Sequence, residues 1–149
     1  MYDGAMTDTK APAPNPCGSC PYRRDTPSGV WAKQEYVKLA EYDADMAFQP
    51  PHLFLCHQHD AGSDQSRLCA GWVGTHGADN LLALRLAGVF GTLPPDELDK
   101  TLDYSTPVPL FDSGAEAAEH GIRDIESPSE DAERAIEKIA NRRDDIRMG

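Results

Sequence analysis

A chain of 149 residues, 40% of them hydrophobic, suits one domain that buries roughly 68–70% of the surface its unfolded form exposes, and it crowds two. The formal net charge of -11 disfavours a phosphate-tracking surface, because nucleic-acid affinity rests on clustered Lys and Arg, and it favours solubility and basic partners. The longest apolar stretch, Leu81 to Phe90, is too short for a bilayer and carries Arg85, so no membrane association is expected.

Residues 1–16, rich in Ala, Pro, Thr and Asp, predict a disordered or extended lead, with Met6 a candidate start. The chain does not open with a charged-then-apolar leader, so a cytoplasmic setting follows, in which thiols stay reduced. Cys17-Gly18-Ser19-Cys20 reads as a knuckle-like turn whose small residues let backbone N–H groups approach the sulfurs, and Pro21 stiffens its exit. Thr26 as N-cap and Pro27 behind it predict a helix from about Ser28 to Tyr42, with Ala32, Tyr36, Leu39 and Ala40 on one face. Residues 43–51 are linker. Leu53 to Gln58 is a short strand candidate; alternation puts Cys56 with Phe54 and Gln58 on one face and His57 and His59 with Leu55 on the other, so Cys56 and His57 should not both bind one ion. After a polar loop at 60–66, Arg67 to Val73 predicts one or two helical turns. Asp79 or Asn80 caps an apolar helix from Leu81 to about Ala87, stopped near Gly88; being apolar nearly all round, it is expected at the core, with Arg85 in need of a partner. Leu93-Pro94-Pro95-Asp96-Glu97 opens another short helix that ends by Tyr104.

Beyond Ser105 the character changes. Ser113 and Glu116 form a capping box for a helix to about His120, and Ser127-Pro128-Ser129-Glu130 opens a second helix to about Arg147 with little apolar mass. Acids crowd its start and arginines its end, as the helix dipole prefers; the acids of 124–133 are read as a solvated helix start rather than a calcium or catalytic site. The expected architecture is mainly α with a short strand element, a small α+β fold. It divides into a lead (1–16), a metal-stapled domain (17–104) and a linker with an acidic helical tail (105–149), docked lightly or awaiting a partner.

The four cysteines, C-x2-C and then C-x12-C, carry the chemistry. Thiolates are soft anionic ligands, and two of them two residues apart chelate one ion from a single turn. Cys17, Cys20, Cys56 and Cys69 are therefore read as one structural zinc site, whose net negative charge Arg23 and Arg24 could offset. A 4Fe–4S cluster is the rival, since it too takes four cysteines and Cys20-Pro21 matches a Cys-Pro step of ferredoxin ligands. Unrelated buried cysteines are the bland alternative, against which the C-x2-C spacing speaks. His57 could replace a cysteine or donate a hydrogen bond to a sulfur, whereas His52, His59 and His76 read as surface or satisfied loop residues. A nucleophilic Cys56 with a histidine needs a metal-free thiol, and a thioredoxin-like reading of Cys-Gly-Ser-Cys fails for want of a preceding strand.

With Cys17-x-x-Cys20-Pro21-Tyr22-Arg23, Cys56-His57, Cys69-Ala70-Gly71-Trp72 and Asn80-Leu81-Leu82-Ala83-Leu84-Arg85 in order, the chain resembles a group of uncharacterised proteins from actinobacteria and their phages, over roughly Cys17 to Glu97. That group brings no activity with it. The resemblance implies that His57, Arg23, Trp72, Asn80 and Arg85 form one unit with the cysteines, and that a phage-type protein of this size would act on a host component. The expected role is a small zinc-binding interaction or regulatory module that presents residues 57–68 and the acidic tail to a protein partner. An iron–sulfur redox or gas sensor is the alternative, and a zinc enzyme with an open coordination position comes third.

Overall fold

A computed structural model describes residues 9–56 and 67–142. Among them the chain forms six α-helices: α1 Lys33–Glu41, α2 Ala70–His76, α3 Leu82–Phe90, α4 Pro95–Leu102, α5 Gly114–Arg123 and α6 Glu130–Arg142. Single 3-10 turns stand at Met46–Phe48 and Ala78–Asn80. The mainly helical expectation holds. The strand expected at Leu53–Gln58 does not extend through the described residues: Leu55 forms an isolated antiparallel bridge with Leu68, flanked by the Cys56 N–H to Arg67 O (2.9 Å) and the Cys69 N–H to Phe54 O (2.8 Å). Cys69 then turns into α2, so the partner segment runs out of extended backbone after one rung. His57, Gln58 and His59 lie outside the described residues.

Helix α1 begins at Lys33, five residues later than the Thr26-Pro27 signal suggests. The Thr26 hydroxyl is already committed to the cysteine turn, donating to Cys20 O (2.8 Å) and Gly18 O (3.2 Å). Ser28 donates to Gly121 O and accepts from the Asp124 N–H. Gly29 then adopts φ +85°, and a Cβ there would meet Asp124 O at 2.8 Å, so no helix can run through it. Tyr36 closes the loop, its hydroxyl accepting the N–H groups of Val30 and Trp31, both at 3.0 Å.

Helix α3 also starts differently. Gln49, far away in sequence, caps it: its side-chain oxygen accepts the Leu82 N–H (3.0 Å) while its amide donates to Asn80 O and Ala44 O. The helix passes Gly88 and stops at Gly91, whose φ of +70° is the left-handed conformation that favours glycine at a helix end. Only Ala83, Leu84 and Ala87 of this helix are buried, so the expectation of a fully core helix is met on one side alone. Helix α4 follows the sequence reading, with Pro95 in its first turn.

The segments at either end are part of the same body. Residues 9–16 are extended and held: Lys10 pairs with Arg67, the Ala11 N–H donates to Glu97 (2.8 Å), and Tyr104 donates to Pro14 O (3.0 Å). The hydrogen bond from Ala11 and the nearby lysines hold the Glu97 carboxyl below its ordinary pKa. Ser113 caps α5 by accepting the Glu116 N–H (3.1 Å), Glu116 reaches back one residue further to the Asp112 N–H (3.0 Å), and Asp43 accepts the N–H groups of Gly114 (2.7 Å) and Ala115 (2.9 Å). Helix α5 lies directly on α1, because Gly114 leaves room for the Leu39 carbonyl and Gly121 for the Tyr36 ring. Ala117 from α5, and Ala132 and Ile139 from α6, are buried in the same core as Trp72, Tyr22, Tyr36 and Leu39. The core therefore runs on across residue 105, where the sequence suggested a linker and a lightly docked tail. No described helix is long and apolar enough to cross a membrane.

Candidate metal centre

The four cysteines arrive from three places. Cys17 and Cys20 sit in a tight turn closed by the Cys20 N–H to Cys17 O (3.0 Å) and continued by the Arg23 N–H to Cys20 O (3.1 Å). Cys56 leaves the Leu55–Leu68 bridge, and Cys69 is the N-cap residue of α2. All four line one cleft, together with Asn15, Trp31 and Arg67. Within it the sulfurs form two close pairs, Cys20 with Cys69 at 3.8 Å and Cys17 with Cys56 at 4.0 Å. None is in a disulfide. Among the described residues no three His, Cys, Asp or Glu side chains, as they stand, form a group that could hold an ion; the arrangement is two pairs sharing a cleft.

The pairs polarise their protons. The hydrogen bond with Cys69 lowers the Cys20 pKa, and the backbone N–H groups of Tyr22 and Gly71 act in the same direction. Cys69 is pushed well up by that same bond and by burial, while the Trp72 N–H works against the rise. Cys17 is pushed up by its bond with Cys56 and by burial. Within the Cys20–Cys69 pair the contact favours the charged form of Cys20 and the neutral form of Cys69, with main-chain donors acting on both sulfurs.

Gly71 makes this packing possible. A Cβ there would stand 2.5 Å from Cys20 Sγ and 2.6 Å from the Tyr22 Cβ. The sequence marked the Cys69-Ala70-Gly71-Trp72 motif without showing that its glycine carries the sulfur contact.

The other residues singled out by sequence are placed variously. Arg23 pairs with Asp25 (2.7 Å) and donates to Pro16 O (2.9 Å), and its pKa is raised by Asp25 first, with the charges of Cys20 and Cys17 adding. Arg24 is engaged elsewhere: it donates to Leu110 O (2.8 Å), lies over the Phe111 ring and approaches Asp112 and Glu116. The cation that lines the cleft is Arg67, which also donates to Ala11 O (3.2 Å); sequence reading passed it over because its role depends on the bridge with Lys10. Trp72 is fully buried, stacked on Phe54 and edge-on to Tyr42. Among the described residues its Nε1 has no hydrogen-bond partner, and its backbone N–H acts on the Cys69 sulfur. Asn80, in the α2–α3 connection, donates to His76 O (3.0 Å), and Arg85, on α3, donates back to Asp79 O (3.3 Å).

His76, read from sequence as a surface or satisfied loop residue, is the satisfied kind and lies deeper than a loop. Its Nε2 is 3.0 Å from the Tyr22 hydroxyl, and its Nδ1 is 3.6 Å from the Asp43 carboxylate that caps α5. Burial lowers its pKa, against the opposing pull of Asp43. A histidine whose folded pKa is depressed binds its proton more readily in the unfolded chain. Its contribution is complete above the unfolded value of about 6.5 and is lost as pH falls through the folded value. The melting temperature should therefore drop as pH is lowered from 7.5 towards 5.5. His76→Gln should flatten that part of the profile, as followed by circular dichroism at each pH; an unchanged slope would remove His76 from the explanation.

The chain belongs to a family of unknown function, DUF6283, whose model matches residues 12–143. That span takes in the strap before Cys17 and both helices after residue 105, a longer stretch than the motif-bearing region alone. No curated protein and no solved structure matches the chain.

Proposed function

We propose that Cys17, Cys20, Cys56 and Cys69 hold a single structural zinc ion, and that the chain is a small interaction or regulatory protein whose shape this ion maintains. The observation that carries the reading is the sulfur spacing. Zinc–sulfur bonds of about 2.3 Å in a tetrahedron give sulfur–sulfur edges of about 3.8 Å, and the two close pairs stand at 3.8 and 4.0 Å. A 4Fe–4S cluster binds each cysteine to a different iron, which asks the sulfurs to stand apart around the cluster rather than in direct contact. A catalytic zinc keeps one position open, and four thiolates on one ion leave none. The N–H groups of Tyr22, Gly71 and Trp72, directed at Cys20 and Cys69, are the donors that an anionic tetrathiolate requires. Reduced cysteines suit a cytoplasmic setting, and the resemblance to phage and actinobacterial proteins makes a host protein the natural partner.

The test is elemental analysis of the protein as purified. One zinc per chain in a colourless protein, with cobalt substitution giving the visible bands of a tetrahedral tetrathiolate, is the expected result. A brown protein containing iron and acid-labile sulfide would replace zinc with the cluster. Because cysteine binds zinc as a thiolate, zinc uptake should release protons and weaken as pH falls.

A further inference from the structure

Helix α3 is apolar on both sides but is covered on one. Ala83, Leu84 and Ala87 face the core. On the adjoining arc, Leu82 and Leu86 are half-buried, and Val89 and Phe90 are 77% and 67% exposed. These positions follow the three-to-four residue spacing of a single helical stripe. Apolar side chains this open, grouped on one helix, mark a contact surface rather than scattered exposure.

The charges around the stripe select its occupant. Asp79 stands exposed just before the helix, and Asp96 and Asp99 are exposed on α4, whose Leu98 lies against Gly88 of α3. Arg85 is the cation on the rim, with its guanidinium donating to Asp79 O. On α4, Lys100 pairs with Glu97. With a net charge of -11, a second copy would bring the same acids to this rim, and an anionic bilayer would be repelled in the same way. A helix with apolar residues on one side and Lys or Arg on the other satisfies both the stripe and its surroundings.

We propose that the open face of α3, formed by Leu82, Leu86, Val89 and Phe90, docks a basic amphipathic helix of a partner protein. The inference rests on the interaction reading above, and it moves the contact surface from residues 57–68 to α3.

The experiment titrates a fluorescent amphipathic peptide, leucines on one face and lysines on the other, with the zinc-loaded full chain and follows anisotropy. Saturable binding that weakens with salt is expected, with no binding of a peptide carrying glutamates in place of the lysines. The double variant Val89→Ser, Phe90→Ser should bind at least tenfold more weakly at unchanged zinc content and melting temperature, since both side chains are largely solvent-exposed. Equal binding of the glutamate peptide, or of the variant, would overturn the proposal. A dimer in sedimentation that the variant dissolves would reassign the face to a second copy, and vesicle binding with the same sensitivity would reassign it to lipid; either result overturns it too. Failure of the peptide with one zinc per chain removes this surface and leaves the metal centre standing, whereas absence of zinc counts against the centre alone.

Discussion

A Cys20→Ser chain is expected to be recovered without bound metal and to melt without a sharp transition. Cys20 is 2% exposed, and its sulfur touches Cys69 and receives the N–H groups of Tyr22 and Gly71, so it stands among groups suited to a soft anion. A hydroxyl at that position is neither soft nor ionised, and three thiolates would hold the ion far less tightly. Structural zinc contributes an apparent ~10–16 kcal/mol to the folding of small domains. The whole stability of such a domain is ~5–15 kcal/mol, so on the proposed zinc reading losing the ion would remove most of what keeps the chain folded. Calorimetry and elemental analysis of the variant, beside the parent chain treated with a chelator, measure the effect. A variant that melts at the parent temperature would end the structural-zinc reading.

Replacing Gly71 by alanine is the next largest expected effect, and it leaves every sulfur in place. The new methyl carbon would meet Cys20 Sγ at 2.5 Å and the Tyr22 Cβ at 2.6 Å, and the second of these atoms is fixed to the main chain. Overpacking of this kind costs about 1–3 kcal/mol by itself. Here it also displaces Cys20 from Cys69, so zinc affinity should fall together with melting temperature. Gly18→Ala is the control: it lies inside the same cysteine turn, has nothing within 4 Å of its added carbon, and should change stability by less than about 0.5 kcal/mol. Titration of both variants with zinc against a competing chelator separates them. Equal affinities would show that Gly71 does not seat the sulfur.

The sequence is most readable where its cues are local. The Ser113 cap, the proline-led start of α4 and the apolar run of α3 each depend on neighbours within a turn or two, and each appears near its expected place. Reading fails where a local cue is taken by a distant partner. Thr26 looks like a helix cap but bonds the cysteine turn, and Gln49 caps a helix that begins 33 residues later. Asp43, in what looks like linker, caps α5. The same holds at the centre: spacing groups Cys17 with Cys20, while the fold sets Cys20 against Cys69 and Cys17 against Cys56. Single-residue periodicity could not show that α1 takes its cover from α5, because the fit rests on what Gly114 and Gly121 lack.

That cover arrives late in the life of the molecule. Tyr36 and Leu39 leave the ribosome long before Ala117 and Gly121, which shelter them in the finished protein. At roughly 5–20 residues per second, the intervening stretch of about 80 residues takes on the order of 4–16 s to synthesise. During that interval a tyrosine and a leucine destined for the interior are bare, and the nascent chain is open to chaperones and to proteolysis until its last third has emerged.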